Sequence, residues 1–233
     1  LILQADRNDS NSINMKIVNF SEQNTIINQY IAEIRDKEIQ QNRMLFRKNI
    51  ERIGELMAYE ISKDLSYSPK SVETPLGIAE TRVPNDQIVL ATIFRAGLPL
   101  HQGFLNIFDR AGNAFVSAYR QYKDKRCVDL DIHIEYLASP SLDDKTLIIA
   151  DPMLATGGSM ELGFKALTTK GMPRWVHVAC VIATQEAVEF ISHVFPKDRT
   201  TIWCAAIDPE LNEHKYIVPG LGDAGDLAYG DKL

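Results

Sequence analysis

From residue 87 onward the chain alternates between short, almost uninterrupted apolar runs and amphipathic stretches. "QIVLATIF" (87–94), "AFVSAYR" (114–120), "TLIIAD" (146–151), "WVHVACVIAT" (175–184) and "TTIWCAAID" (200–208) read as buried strands. Between them, residues 98–109, 157–170 and 185–194 read as helices, the second stopped by Gly171 and Pro173. Residues 128–137 read as one arm of a hairpin. Ahead of this region the pattern is helical over 22–65, where Ile50, Ile53, Leu56, Met57 and Ile61 recur every three or four positions between charges. Residues 66–86 hold Pro69, Pro75 and Pro84 and read as connecting structure. Apolar strands alternating with amphipathic helices predict an α/β fold, a mostly parallel twisted sheet flanked by helices, with an N-terminal helical region.

The expected organisation is a single domain over 15–233: mainly helical over 15–65, a core sheet over 87–208 and a tail over 209–233. Residues 1–14 lack an initiator methionine and are rich in Asn, Asp and Ser, whereas Met15 opens "MKIVNF". They are expected to be an upstream extension or an expression remnant. The 233 residues are 45% apolar and 24% charged, an ordinary globular composition. A net charge of −6 argues against a nucleic-acid partner, and the short basic run "YRQYKDKR" (119–126) reads as a solvated loop. Apolar runs such as Ile88–Phe94 are too short to span a bilayer. No N-terminal segment has the pattern of a signal peptide. Cys127, Cys180 and Cys204 form no CxxC pair, and the last two sit in strand-like runs where a thiol behaves as a small hydrophobe. Five scattered histidines lack metal-ligand spacing, so no protein-held metal is expected. A reducing, cytoplasmic compartment follows.

Ligands of open α/β sheets sit beyond the carboxyl ends of the strands, so the residues after each strand are the candidates. After "TLIIA" comes "DPMLATGGSM" (151–160), an acid and then a glycine-rich turn leading into a helix. Backbone N–H groups of such a turn form a nest, and the helix dipole adds positive potential: a site for a phosphomonoester. Asp151 stands where it can accept hydrogen bonds from sugar hydroxyls. Ser159 replaces the lysine of a Walker pattern, so acid plus T-G-G-S points to ribose 5-phosphate rather than a triphosphate. Arg95, in "FRAGLPL" (94–100), and Arg120 each end a strand. Either alone has a salt-bridged surface residue as its plain alternative. Together, beside a phosphate nest, they favour pyrophosphate. The tail segment "GLGDAG" (220–225) spells G-x-G-x-x-G, but no crossover helix and second strand follow it, so a dinucleotide turn fails on geometry.

Taken together these segments resemble the uracil phosphoribosyltransferases. "DPMLATGGS" resembles that family's phosphoribosyl-pyrophosphate (PRPP) motif. "RAGLPL" and the strand-end "YR" agree, and "LNEHKYIVPGLGDAGDLAYG" (211–230) is similar to its uracil-binding tail. The resemblance runs from about Arg43 to the C-terminus. It implies a phosphoribosyltransferase-like fold with a C-terminal base-binding hood, and the reaction of uracil with PRPP to give UMP and pyrophosphate. Asp151, Pro152, Met153, Leu154, Ala155, Thr156, Gly157, Gly158 and Ser159 would hold the ribose hydroxyls and the 5-phosphate. Arg95 and Arg120 would contact the PRPP phosphates. Ile217, Gly222, Asp223 and Ala224 would bind uracil largely through backbone groups, which glycine allows to come close. Asp223 would also touch PRPP. It is the nearest candidate carboxylate for proton transfer, although no general base is assigned, and catalysis would rest on Asp223, Arg95 and Arg120. The resemblance further implies Mg²⁺ carried mainly by PRPP, a homodimer or higher homo-oligomer, and GTP as an effector to consider, since some relatives are activated by it.

Two stretches depart from the family. After Arg120, "QYKDKRCVDLDIHIEYLASP" differs from the acid-rich "YRxEETLEP" run, and Leu227 stands where Lys or Arg is common. Rival readings are an RNA-binding regulator, which would need a basic face, and a silent relative, which the intact nest and arginines oppose. The same chemistry on orotate would call for a cation near Ile217–Ala224, and none is closer than Lys215.

Overall fold

The computed structural model describes residues 15–122 and 130–231, without the side chains of 118–122 and 130–134. The chain enters through a short strand, β1 (Lys16–Asn19), followed by helices α1 (Ile27–Arg35) and α2 (Arg43–Ser62). Asn42 caps α2, its Oδ1 accepting from the Leu45 N–H at 3.1 Å. Phe46, Ile50, Ile53, Met57 and Ile61 form the buried stripe of α2, as their spacing requires. A hairpin follows, β2 (Tyr67–Thr74) and β3 (Gly77–Pro84), and then β4 (Ile88–Ile93), α3 (Leu98–Ile107), β5 (Gly112–Tyr122) and β6 (Leu130–Ala138). The remainder is β7 (Thr146–Ala150), β8 (Met153–Leu154), α4 (Gly158–Thr168), β9 (Trp175–Thr184), α5 (Gln185–Val194) and β10 (Thr200–Asp208). The tail adds β11 (Glu210–Leu211), β12 (Ile217–Val218) and α6 (Ala224–Tyr229).

The main sheet runs β1-β10-β9-β7-β4-β5-β6, with β8 also paired to β9. All its pairings are parallel except β5 with β6. Both faces are covered, which is why the strands read as unbroken apolar runs. Val89, Ala91, Ile149, Val178 and Cys180 face one core with Phe164, Leu167, Ala187 and Ile191 of α4 and α5. Leu90, Ile148, Ala179, Val181 and Trp203 face the other, with Ile34, Phe46, Ile53, Met57 and Phe104 of α1, α2 and α3. Cys180 and Cys204 are free and buried, as expected of core thiols, with their Sγ atoms 3.3 Å apart. Cys127 lies outside the described residues, as do residues 1–14.

Two segments differ from the sequence reading. Residues 66–86 form not plain connecting structure but the β2–β3 hairpin, joined by Pro75 and Leu76. An isolated two-stranded ribbon has a free edge on each strand, so Pro69 and Pro84 can sit there without costing a ladder bond. Lys16–Asn19, ahead of the helical region, is a strand that pairs with β10. Four residues are too few to show a period in sequence.

Helices α2 and α3 cross at glycines. A Cβ on Gly103 would lie 2.1 Å from the Glu51 carbonyl oxygen, and one on Gly54 2.7 Å from that of Leu100. Gly103→Ala is therefore expected to lower stability by about 1–3 kcal/mol, the usual cost of overpacking. The urea midpoint of unfolding should fall accordingly.

Candidate active site

The chain leaves β4 toward β5 and leaves β7 toward β9, so the strand order reverses between the neighbours β4 and β7. A crevice at the carboxyl ends of such a pair is where open α/β sheets place ligands. Arg95 follows β4 there and Asp151 follows β7. A cavity of about 610 Å³ opens between them, and the tail forms its far wall. Of the residues singled out from sequence, Arg95, Asp151, Met153, Ala155, Ile217, Gly222, Asp223 and Ala224 all line it.

Asp151 is held by its backbone N–H, which donates to the Ala179 carbonyl at 3.1 Å, while its Oδ1 accepts from the Met153 N–H at 3.2 Å. Burial pushes its carboxyl up to about 7, against the opposing pull of that hydrogen bond. Pro152 and Leu154 are buried, and the Pro152 carbonyl accepts from Val181 and Ile182. The turn beyond is tied to the start of α5. Thr184 caps that helix by accepting from the Ala187 N–H at 3.0 Å, and its hydroxyl donates to the Ala155 carbonyl at 2.7 Å. Gly157 has φ +80°, and a Cβ there would meet Phe190 Cδ1 at 2.6 Å, so the turn needs glycine on both counts. Helix α4 starts without a side-chain cap, with Thr156 half-buried and Ser159 exposed at its entry. Thr156, Gly157, Gly158 and Ser159 lie outside the cavity lining proper.

The tail closes over the strand ends through Arg95. One guanidinium nitrogen donates to the Gly230 carbonyl at 2.8 Å, and the other forms an ion pair with Asp226. Asp223 caps α6, its Oδ1 accepting from the Asp226 N–H at 2.9 Å. From the α2 side, Arg47 donates to the Ala228 carbonyl at 2.6 Å and lies over the Tyr229 ring. The Phe94–Arg95 and Val218–Pro219 peptides are cis. Arg120 lies on β5 opposite Ile132, and its side chain is outside the described set.

The sequence reading missed several wall residues. Phe94, Ser117, Glu135 and Tyr216 line the cavity, Phe94 backed by stacking on Phe115 and Tyr136 and Ser117 donating to Glu135 at 3.0 Å. Phe94 and Tyr216 lie inside the quoted motifs, which was their only signal. The Arg95–Asp226 pair joins residues 131 positions apart, and no local pattern announces it.

The comparisons with known proteins bear on this geometry. A family model described as uracil phosphoribosyltransferase matches residues 21–231. The uracil phosphoribosyltransferase of Porphyromonas gingivalis is 60% identical over 219 residues, covering 94% of this chain and 100% of the relative. That of Pyrococcus furiosus is 35% identical over 215 residues, covering 91% of this chain and 89% of the relative. A solved structure of an Aquifex aeolicus protein superposes with a TM-score of 0.78 at 31% identity, covering 92% of this chain and 98% of that one.

The raised Asp151 carboxyl has a measurable consequence for the ligand-free protein. A buried acid that keeps its proton stabilises the fold fully below its ordinary value near 3.8, and that contribution is lost as pH rises through about 7. Asp151→Asn cannot titrate. Its stability relative to the parent should therefore climb between pH 4 and pH 7 and then level off, as read by denaturation midpoints across that range.

Proposed function

The chain belongs to the uracil phosphoribosyltransferase family, and from that premise we propose that it transfers the phosphoribosyl group of PRPP to uracil, releasing pyrophosphate and forming UMP. The observation that carries this reading is the convergence of Arg95, Asp151 and the 222–225 loop on one cavity at the sheet's switch point.

In this reading residues 151–159 hold the ribose and its 5-phosphate. Asp151 accepts hydrogen bonds from the ribose hydroxyls, and the amides at the start of α4 receive the phosphate. Arg95 and Arg120 face the pyrophosphate. The backbone of Ile217, Gly222 and Ala224 reads the donor and acceptor edge of uracil, and Asp223 stands between base and PRPP. As the bond from C1 to pyrophosphate lengthens, positive charge grows on the ribose ring and negative charge on the leaving group. The protein's contribution is placement of the base near C1 and cationic stabilisation of the departing phosphates. Asp223 remains the nearest carboxylate for the proton that uracil gives up.

Mg²⁺ fits a cavity whose acids are Asp151, Asp223 and Glu135, since it is a hard cation that takes oxygen ligands and keeps several waters. Carried on PRPP, it supplies neutralisation of the pyrophosphate charge. Residues 15–233 act as a single domain in this reading. A homodimer or larger homo-oligomer, a cytoplasmic location and a response to GTP belong to the same proposal. Among the described residues no helix is long and apolar enough to cross a membrane.

The test is PRPP-dependent formation of UMP from labelled uracil with Mg²⁺, run beside orotate, hypoxanthine and cytosine. Turnover of uracil alone is expected. Asp223→Ala should lose about 100-fold or more in kcat/KM, the scale of removing one positioned electrostatic group. Binding of PRPP without turnover of any base would overturn the enzyme reading.

A further inference from the structure

The loop that carries Gly222–Ala224 is held in place from behind by a charged clamp outside the cavity. Asp208 ends β10 and is almost fully buried, its side chain 7% exposed. Arg35, at the last turn of α1, meets it in a two-pronged pair: Nη2 donates to Oδ1 at 2.7 Å and Nη1 to Oδ2 at 2.8 Å. The same two side chains grip Gly220. Arg35 Nη1 donates to the Gly220 carbonyl at 2.8 Å, and the Gly220 N–H donates to Asp208 Oδ2 at 2.9 Å. The next carbonyl is caught as well. With its amide oriented to satisfy its neighbours, Gln40 donates to the Leu221 carbonyl at 3.0 Å and to that of Ile34 at 2.9 Å. Three consecutive peptide planes, 219–220, 220–221 and 221–222, are thereby fixed by side chains from α1, β10 and the α1–α2 connection.

No residue with a side chain can stand in for Gly220. Its φ is +54°, and a Cβ there would lie 2.1 Å from the Ile217 carbonyl oxygen. The fixed planes run directly into Gly222, where the loop reaches the cavity. A loop that reads a planar base through backbone groups has no side chain to adjust, so its accuracy is the accuracy of the peptide planes that precede it. A buried carboxylate bridged by a guanidinium fork is well suited to that task, because the planar fork tolerates little change in distance or angle.

We propose that Arg35 and Asp208 are positioning residues for base recognition, acting through Gly220 on the Gly222–Ala224 backbone. This rests on the reading of that backbone as the uracil site. The clamp's side-chain hydrogen bonds all go to α1, β10 and the tail, whereas Asp151 is held by Ala179 and Ala155 by Thr184. Asp208 meets Thr184 only through the backbone pairing of β10 with β9, which a side-chain substitution leaves in place. Loss of the clamp should therefore fall on the base and spare PRPP.

The experiment varies uracil and PRPP separately for the parent chain, Asp208→Asn, Arg35→Lys and Gln40→Ala, with a thermal melt of each preparation. Asp208→Asn should raise the KM for uracil about ten-fold or more while the KM for PRPP stays within about two-fold, the signature of a lost base-binding contribution. Arg35→Lys should fall between, since an ammonium cannot bridge both carboxylate oxygens and the Gly220 carbonyl in the same geometry. Gln40→Ala removes no buried charge, so it keeps the test open if the charge variants fail to fold; its uracil KM should rise about two- to five-fold with the melt unchanged. Exchanging the pair, as Arg35→Asp with Asp208→Arg, should not restore uracil binding, because the Gly220 N–H would then face a donor. Uracil and PRPP constants that rise together, or a lower melting point with both unchanged, would assign the clamp to stability alone and overturn the proposal. Turnover by the parent chain establishes the uracil reading in the same assay. An active, folded variant with an unchanged uracil KM overturns the clamp only, whereas an inert parent overturns both.

Discussion

Strands that run parallel need a crossover between them, and each crossover lays a helix against the sheet. Here the crossovers cover both faces, so the apolar strands have no solvent side and the ends of the strands are where polar chemistry can reach a ligand. The two ends are not equivalent. At the carboxyl ends, Arg95, Asp151, Thr184 and Asp208 emerge from or close four adjacent strands, β4, β7, β9 and β10. Two of them, Arg95 and Asp208, hold the tail that forms the cavity's far wall, and Thr184 holds the glycine turn beside it.

The two aspartates at strand ends are treated in opposite ways. Asp208 is wrapped by the Arg35 guanidinium and the Gly220 N–H, so its charge is matched by partners with fixed geometry. Asp151 receives one backbone N–H and lies half-buried on the cavity wall, where desolvation raises its carboxyl to about 7. A paired carboxylate anchors structure, whereas a poorly satisfied one is left with capacity to accept from a ligand. Arg95 shows the same division within one side chain. Its guanidinium both lines the cavity and holds Asp226 and the Gly230 carbonyl, so the group that faces the ligand also shuts the tail.

The sheet was legible because its signal is local. "TLIIAD" and "WVHVACVIAT" are bounded runs with helical spacing on either side, and they became β7 and β9 within a residue or two. The turn at 155–158 was legible for a similar reason, because a glycine with positive φ next to a small residue leaves its mark in composition. The β2–β3 hairpin was not, since its three prolines suit a ribbon with free edges yet argue against strands in a larger sheet. The ties that position the cavity wall were beyond reach altogether. Arg35 with Asp208 spans 173 residues and Arg95 with Asp226 spans 131, and no local pattern tells either arginine which acid it will meet.

The far wall of the cavity is built from residues 215–225, and it is secured by α1, α2 and Arg95, all encoded much earlier. Remove residues 209–231 in thought, and the strand ends would carry Arg95 and Asp151 with nothing opposite them. Arg35, Arg47 and Arg95 would lose their backbone acceptors on Gly220, Ala228 and Gly230. The pocket thus belongs to neither the sheet nor the tail alone, but to the seam that three arginines stitch between them.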